Sequence, residues 1–414
     1  MREPTMDERP SNLKEMLSEA KDTSEVMVDL AYASLYFDDE AMAHAVTELE
    51  ESLSDLVHDM RAMALLAVRH PREVDGMSSV LQVVSAIEQI ANDAVDIAGI
   101  VIRRLGIPRQ LVADLARAQE VSHRLEVREG SHLAHRPLAD FELPVAVGMR
   151  VVAVQRGRRW FTRVRGDLVI QPDDVLFMRG DPAGIQRLRE LAGAPPWRPV
   201  EDQELGAITD LDRAVDTLVE MKNLSETTVG LAYSAVVLQD TSLATEVEHL
   251  ESRLDEMQAS LELWVLRAAA DDLDPSPLRG LLHLAEAAED IGDAARQMVW
   301  LVSEEEDVHP VLALAMGDTD DVVVQMPVAE GSRAEGKSLR SLNLAVEPGF
   351  QLLAIRRGNR YVHRPPKAEV LRPGDVLIAS GPEEGQEALA EICGYRLHHD
   401  DETGESELIP LVPT

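Results

Sequence analysis

The residues whose spacing most suggests chemistry are those at 331–338, G-S-R-A-E-G-K-S, which match the phosphate-cradling pattern G-x-x-x-x-G-K-[ST] letter for letter. In that pattern backbone amides wrap a phosphate and the lysine, here Lys337, reaches it. The chemistry would be nucleotide hydrolysis. The apolar run Val322, Val323, Val324 precedes the stretch and a short helical segment follows it. Against hydrolysis, the surrounding module is too small for the parallel sheet of such an enzyme, and no strand ends in a metal-binding Asp. A related stretch earlier in the chain also drops the motif, so the expectation is coincidence. Neither G-x-S-x-G nor G-x-G-x-x-G occurs, which removes support for a nucleophile elbow or a dinucleotide-binding turn. No enzyme is expected. The other candidates are carboxylates: Glu251 with Asp255, and Glu289 with Asp293, each pair four residues apart and so on one helix face. Such a pair is either a solvated face or a set of hard oxygen ligands for a cation. The 12 histidines show no ligand spacing, and His398 and His399 read as surface. Cys393 is the one cysteine, which excludes an intramolecular disulfide and a Cys-based zinc site.

What must position these residues is a unit that occurs twice. Gly130, Leu138, Gly148, Ala153, Arg156, Gly157, Pro172, Asp174, Val175, Leu176 and Gly180 return, 201 positions later, as Gly331, Leu339, Gly349, Ala354, Arg357, Gly358, Pro373, Asp375, Val376, Leu377 and Gly381. The same offset carries Lys21, Ser24, Glu25 and Leu30-Ala31-Tyr32 onto Lys222, Ser225, Glu226 and Leu231-Ala232-Tyr233. One constant offset over most of the chain marks a tandem duplication.

Each copy reads as helices followed by strands. Apolar residues at helical spacing predict three helices over about 12–37, 40–70 and 78–105, joined by short connections, hence an antiparallel bundle. A helical joint at 109–118 follows. Alternating and turn-bounded segments then predict strands near 121–127, 151–154, 160–164 and 175–178, with a short helix over 133–143 and another over 182–191. The Pro-rich stretch 194–199 reads as a linker. The second copy runs as a helical part over 205–302, an acidic boundary at 304–307, a strand-rich part over 321–394 and an acidic tail. The fold class expected is α+β and multidomain: two three-helix bundles, at 10–107 and 204–304, alternating with two β-α-β-β-β-α modules, at 118–194 and 320–396.

Composition sets limits on partners. The chain of 414 residues carries 75 Asp and Glu against 40 Lys and Arg, a net charge of −35, and its few lysines are Lys14, Lys21, Lys222, Lys337 and Lys367. Such a surface repels nucleic acid and anionic lipid headgroups. Dense carboxylate with scarce lysine resembles proteins of salt-accumulating halophiles. The start lacks the apolar core of a signal peptide and no long uncharged apolar window occurs, so the expectation is a cytoplasmic protein without membrane insertion.

The pattern G-K-S-L-x-x-L-x-L, then G-F-Q-L-L-A-I-R-R-G, then R-P-G-D-V-L-I-A-S-G, resembles the TrkA-C (RCK-C) domain, the C-terminal regulatory domain of potassium-conductance proteins. The match at 328–394 spans the module, and that at 127–193 is weaker, with His135-Arg136-Pro137 where Gly336-Lys337-Ser338 stand later. The helical parts resemble PhoU domains, through E-Q-I-A-N-D-A-V-D-I-A at 88–98 and L-E-S-R-L-D-E-M at 250–257. PhoU followed by TrkA-C, twice over, resembles an accessory regulator architecture found in archaea.

The resemblance implies regulation. TrkA-C modules pair as dimers and bind a small, nucleotide-type effector at the dimer interface. Here the pair would be a homodimer or an intramolecular pseudo-dimer. Ligand residues implied in the second copy are Leu339, Leu342, Asn343, Leu344, Phe350, Gln351 and Leu352, with Arg356 and Arg357 as phosphate partners. The equivalents Leu138, Phe141, Glu142, Leu143, Met149, Arg150 and Val151 would form the other wall; the competing reading of these residues is hydrophobic core. Members that bind cyclic di-AMP carry Asp and Arg near the positions of Asn343 and Ala345, which this chain lacks. The absent Rossmann half removes the expectation of NAD or ATP sensing. PhoU domains can hold metal through acidic residues, which implies a divalent site at Glu251, Asp255, Glu289 and Asp293 in the second bundle. The partner implied is a membrane cation transporter or channel subunit, reached peripherally from the cytoplasm, with a phosphate-transport regulator as the alternative.

Overall fold

The computed structural model describes residues 12–70, 74–115, 120–162, 164–197, 209–270, 276–303, 308–317, 319–358, 360–399 and 406–411. The acidic boundary at 304–307 and the latter part of the linker lie outside them. The first bundle is α1 (Leu13–Phe37), α2 (Glu40–Ala67) and α3 (Val74–Ile102), followed by the joint α4 (Arg109–Leu115). Local chemistry explains the breaks. Asn12 caps α1 by accepting from the Glu15 amide, Asp38 ends it in the left-handed region, and Asp39 starts α2 by accepting from the amides of Ala41 and Met42. Within the second bundle, α7 (Asp210–Leu238), α8 (Thr241–Ala270) and α9 (Ser276–Ser303), Gln239 and Asp240 take the same two roles.

In the first module β1 (Val121–Glu126), α5 (Leu143–Val147), β2 (Met149–Arg156), β3 (Arg159–Phe161), β4 (Val175–Gly180) and α6 (Ile185–Leu191) form an antiparallel sheet in the order β1-β4-β2-β3 with helices against it. After α10 (Pro310–Met316), the second module repeats this with β5 (Asp321–Pro327), α11 (Leu339–Leu342), β6 (Gln351–Arg357), β7 (Arg360–His363), β8 (Val376–Pro382) and α12 (Gln386–Cys393), in the order β5-β8-β6-β7. Both copies break register at the same place, between Val151 and Ala153 and between Leu352 and Ala354. The bulge lets neighbouring residues serve two cores. Val152, Ala153 and Phe177, with their repeats Leu353, Ala354 and Ile378, join the bundle core, while Val151 and Ile355 stay in their modules. The two bundles share one core through α3 against α9.

One expectation changes. The helix over 133–143 starts later, because the amide of His135 donates to the Ile170 carbonyl and Pro137 bridges Val169; only a 3-10 turn at Leu138–Phe141 precedes α5. Within the acidic tail, β9 (Tyr395–His399) and β10 (Ser406–Pro410) pair as antiparallel strands, with Leu397 and Leu408 packed on the module core. Among the described residues no helix is long and apolar enough to cross a membrane.

Candidate functional site

The two modules meet through their α5–β2 and α11–β6 connections. Gly148 has φ +65 and Gly349 has φ +89. A methyl group at Gly148 would strike the Ala345 carbonyl oxygen, and one at Gly349 would lie 2.5 Å from that of Pro144. Residues 144 and 148 are the 201-residue counterparts of 345 and 349, so the contact is reciprocal, as at a two-fold axis. Only glycine allows both the left-handed backbone and this approach.

Beneath the contact lies a cavity of about 160 Å³. Both modules line its upper side, through Pro144, Gly148 and Gly180 and through Ala345, Gly349 and Gly381. The floor is α1 and α7, through Glu25, Asp29, Glu226 and Gly230, and the paired Ile90 and Ile291 lie at the base.

The charged lining belongs mainly to the first unit. Asp29, only 4% exposed, accepts from Arg150 at 3.0 Å and from Arg179. Arg150 also binds Asp321, and Arg179 binds Glu120 and Glu226, each at 2.8 Å. Lys222 donates to Glu226 at 2.7 Å. Burial pushes Glu226 up, but Arg179 and Lys222 outweigh it and hold the carboxyl at about 2. Burial dominates at Glu120, with Glu226 adding repulsion, and raises it to about 7.

Of the expected ligand residues, Arg150 and Gln351 line this cavity. Leu342, Leu344 and Phe350 are buried in the second module's core, with Leu339 and Leu352 packed on it; Leu143, Met149 and Val151 are buried in the first, with Leu138 and Phe141 packed on it. Asn343 and Glu142 are turn residues with positive φ. Arg356 lies 4.0 Å from Asp240. Arg357 is committed to structure: it binds Asp375 through two bonds of 2.8 and 2.7 Å, and also Glu369 and the Val370 carbonyl. Arg156 and Asp174 repeat that bidentate pair. Sequence reasoning missed Glu25, Asp29, Glu120, Arg179, Glu226 and Asp321. For Asp29 and Arg179, as for Arg150, the signal was a break in the repeat, since they correspond to Gly230, Ser380 and Gln351; Glu25 and Glu226, and Glu120 and Asp321, are counterparts that keep their charge.

The phosphate-cradle reading fails on topology. The sheet around residues 331–338 is antiparallel throughout, and the Gly331 amide is occupied by the Glu335 carboxylate at 2.7 Å. The four carboxyls of the second bundle do come together: Asp293 and Asp255 raise the pKa of Glu251, and Asp255, Asp293 and Asp290 raise that of Glu289, after burial in both cases. Burial first and the Asp255 contact second push Glu289 up to about 7. Arg296 binds Glu251 and Asp293, both at 2.9 Å. The Arg296 guanidinium thus holds two of these groups, and among the described residues no group of three or more His, Cys, Asp or Glu side chains is arranged to hold a metal ion.

Comparison with known proteins follows the same division. The TrkA-C domain model matches residues 123–193 and 323–394, and the PhoU domain model matches 17–101 and 218–302. No curated protein matches. Similar solved structures include PhoU from Pseudomonas aeruginosa, at 15% identity over 70% of this chain and 93% of that one, with a TM-score of 0.38. The GsuK channel bound to NAD is 14% identical over 77% of this chain and 65% of that one, with a TM-score of 0.18. The GsuK RCK domain is 14% identical over 77% and 78%, also at 0.18.

Proposed function

We propose that this chain, a tandem pair of PhoU–TrkA-C units, is a cytoplasmic regulator that senses a small ligand between its two TrkA-C modules and controls a membrane cation transporter or channel, with potassium the expected ion. The observation that carries this reading is the cavity of about 160 Å³ bounded jointly by both modules and both bundles. A ligand there touches α1 and α7 as well as the module strands, so occupancy biases the relative placement of modules and bundles. The lining supplies charged and polar groups that can bind a ligand, which supports a regulatory role.

A second reading, regulation of phosphate transport, is favoured by the two matched PhoU stretches, whose helices form one continuous core. Affinity capture from detergent-solubilised membranes separates the two. Recovery of a cation transporter supports the first, and recovery of a phosphate transporter supports the second. Capture of neither class overturns both.

A further inference from the structure

The geometry points to a proton-sensing device: Glu120, held between Arg179 of β4 and the floor helices α1 and α7, carries a proton whose loss loosens the first module from the bundles. The device acts whatever ligand the cavity takes, and so goes beyond the preceding reading.

Positive charge runs short at this junction. Arg179 donates to three carboxylates at once: Asp29 through Nη1, Glu226 through Nη2 at 2.8 Å and Glu120 through Nε at 2.8 Å. Two of the three have a second cation. Asp29 also accepts from Arg150 at 3.0 Å, and Glu226 from Lys222 at 2.7 Å. Arg150 is shared in turn with Asp321, whose carbonyl and charge also face Lys21. Among the described residues, then, the carboxylates Asp29, Glu120, Glu226 and Asp321 meet the cations Arg150, Arg179 and Lys222, and Glu120 alone depends on a guanidinium it must share three ways. A proton on Glu120 removes the excess negative charge. The remaining charged neighbours do not restore the balance. Lys21 is bound by Glu25 at 3.0 Å and stands beside Asp22 and Asp320 as well. Beyond β7, burial lowers the Arg364 pKa, and its charge is divided among Glu226, Glu220 and Glu120.

The surroundings fit a carboxyl that is neutral while the module is seated. Glu120 lines a side pocket of about 20 Å³ together with Asp29, Tyr32, Arg179, Lys222 and Glu226, a volume that admits one water. Tyr32 is buried, and its hydroxyl has no hydrogen-bond partner among the described residues. Burial keeps that hydroxyl un-ionised, so it offers the pocket a neutral donor and acceptor beside the carboxyl. Burial, then repulsion from Glu226, raises Glu120 to about 7 against the pull of Arg150 and Lys222. Its side chain is 24% exposed, which lets the proton pass to solvent. Once it leaves, Arg179 faces three ionised carboxylates. Glu120 adjoins Val121, which pairs with Gly180 of β4, and Gly180 abuts the Gly148 carbonyl at the contact between modules. The new charge therefore acts where the first module is fastened to α1 and α7. In the opened module Glu120 meets water and returns to its ordinary value of 4.5. Between that value and about 7 the seated form holds a proton that the opened form lacks, so seating weakens as pH rises through this window and weakens no further above it.

The test is hydrogen–deuterium exchange of the full chain, without added ligand and at constant ionic strength, read in residues 121–126 and 175–180 and corrected for the intrinsic pH dependence of exchange. A local readout is needed because Asp22, Asp93 and Glu289 are also raised into this range and act on global stability. In the wild-type chain the opening constant of both strands should rise at least ten-fold from about pH 5.5 to about pH 8. Glu120→Gln keeps the shape of the protonated side chain and should hold the opening constant within two-fold of its low-pH wild-type level throughout. Asp321→Asn removes repulsion on Glu120 and should move the transition to lower pH. Exchange that ignores pH in the wild-type chain, or that rises equally in Glu120→Gln, overturns the proposal. If Glu120→Gln does not fold, an unshifted transition in Asp321→Asn overturns it instead. Since no ligand is present, each of these failures leaves the ligand-sensing reading standing.

Discussion

Lys21 sits over the ring of Tyr233, its ammonium 5.3 Å from the centroid, and the duplication returns the contact as Lys222 over Tyr32 at 4.9 Å. The pairs tie α1 of one unit to α7 of the other in the way a symmetric dimer ties its subunits, but within one chain. Lys21 is 2% exposed. Burial opposes its charge, yet Glu25, Asp22 and Asp321 outweigh burial and raise its pKa.

The contact should register as coupling. A desolvated ammonium over an aromatic ring contributes about 2 kcal/mol. Lys21→Met and Tyr233→Leu, measured singly and together by urea unfolding, should therefore depart from additivity by about 1–2 kcal/mol. Additivity within about 0.3 kcal/mol would make the contact energetically silent.

Asp93 gives a pH prediction. It is 3% exposed at the α3–α9 interface, and one of its carboxyl oxygens has no partner among the described residues. Burial first, then repulsion from Asp290, Asp96 and Glu289, push it up to about 8, against which the Gln89 amide gives partial relief. Between about pH 4 and pH 8 the folded chain keeps this proton and the unfolded chain does not. Stability therefore falls as pH rises through that window, by at most about 1.4 kcal/mol per pH unit for one group. Asp93→Asn should unfold at a higher midpoint than wild type at pH 8 and close to wild type at pH 4.5. An equal shift at both pH values would contradict the assignment.

The extent to which this was legible in the sequence follows from range. Helix and strand boundaries came out close because capping and turn chemistry is local, as at Asp39 and Asp240. The module order followed from alternation and the repeat. The cavity did not, because it needs Glu25 and Asp29 from α1 beside Arg179 from β4, about 150 residues apart. The leucines and Phe350 singled out for ligand binding are instead what the alternating pattern says elsewhere, core residues.

Asp29 should act as the counter-ion of the first half. Removing one partner from a buried ion pair costs about 3–5 kcal/mol, because the other charges remain buried. Asp29→Asn should lose stability on that scale in calorimetry. It should also gain a stabilising response to inorganic phosphate that wild type lacks, since Arg150 and Arg179 are then under-compensated. No difference in phosphate response would show the guanidiniums to be neutralised by other groups.

The bidentate pairs Arg156–Asp174 and Arg357–Asp375 are predicted to be structural. Asp174 is 0% and Asp375 1% exposed. Arg357→Lys cannot reproduce the planar fork, and should cost about 2–4 kcal/mol while leaving the half-saturating ligand concentration within two-fold of wild type. A ten-fold weaker ligand response at unchanged stability would restore Arg357 to the binding site.

The central claim, that the two TrkA-C modules pair within one chain, is most directly tested by hydrogen–deuterium exchange at residues 143–149 and 344–350 over a hundred-fold range of protein concentration. Intramolecular pairing predicts that protection of both strips is independent of concentration and is lost together in Gly148→Ala, whose added methyl meets the Ala345 carbonyl. Protection that disappears on dilution of the wild-type chain would place the pairing between chains and contradict the account.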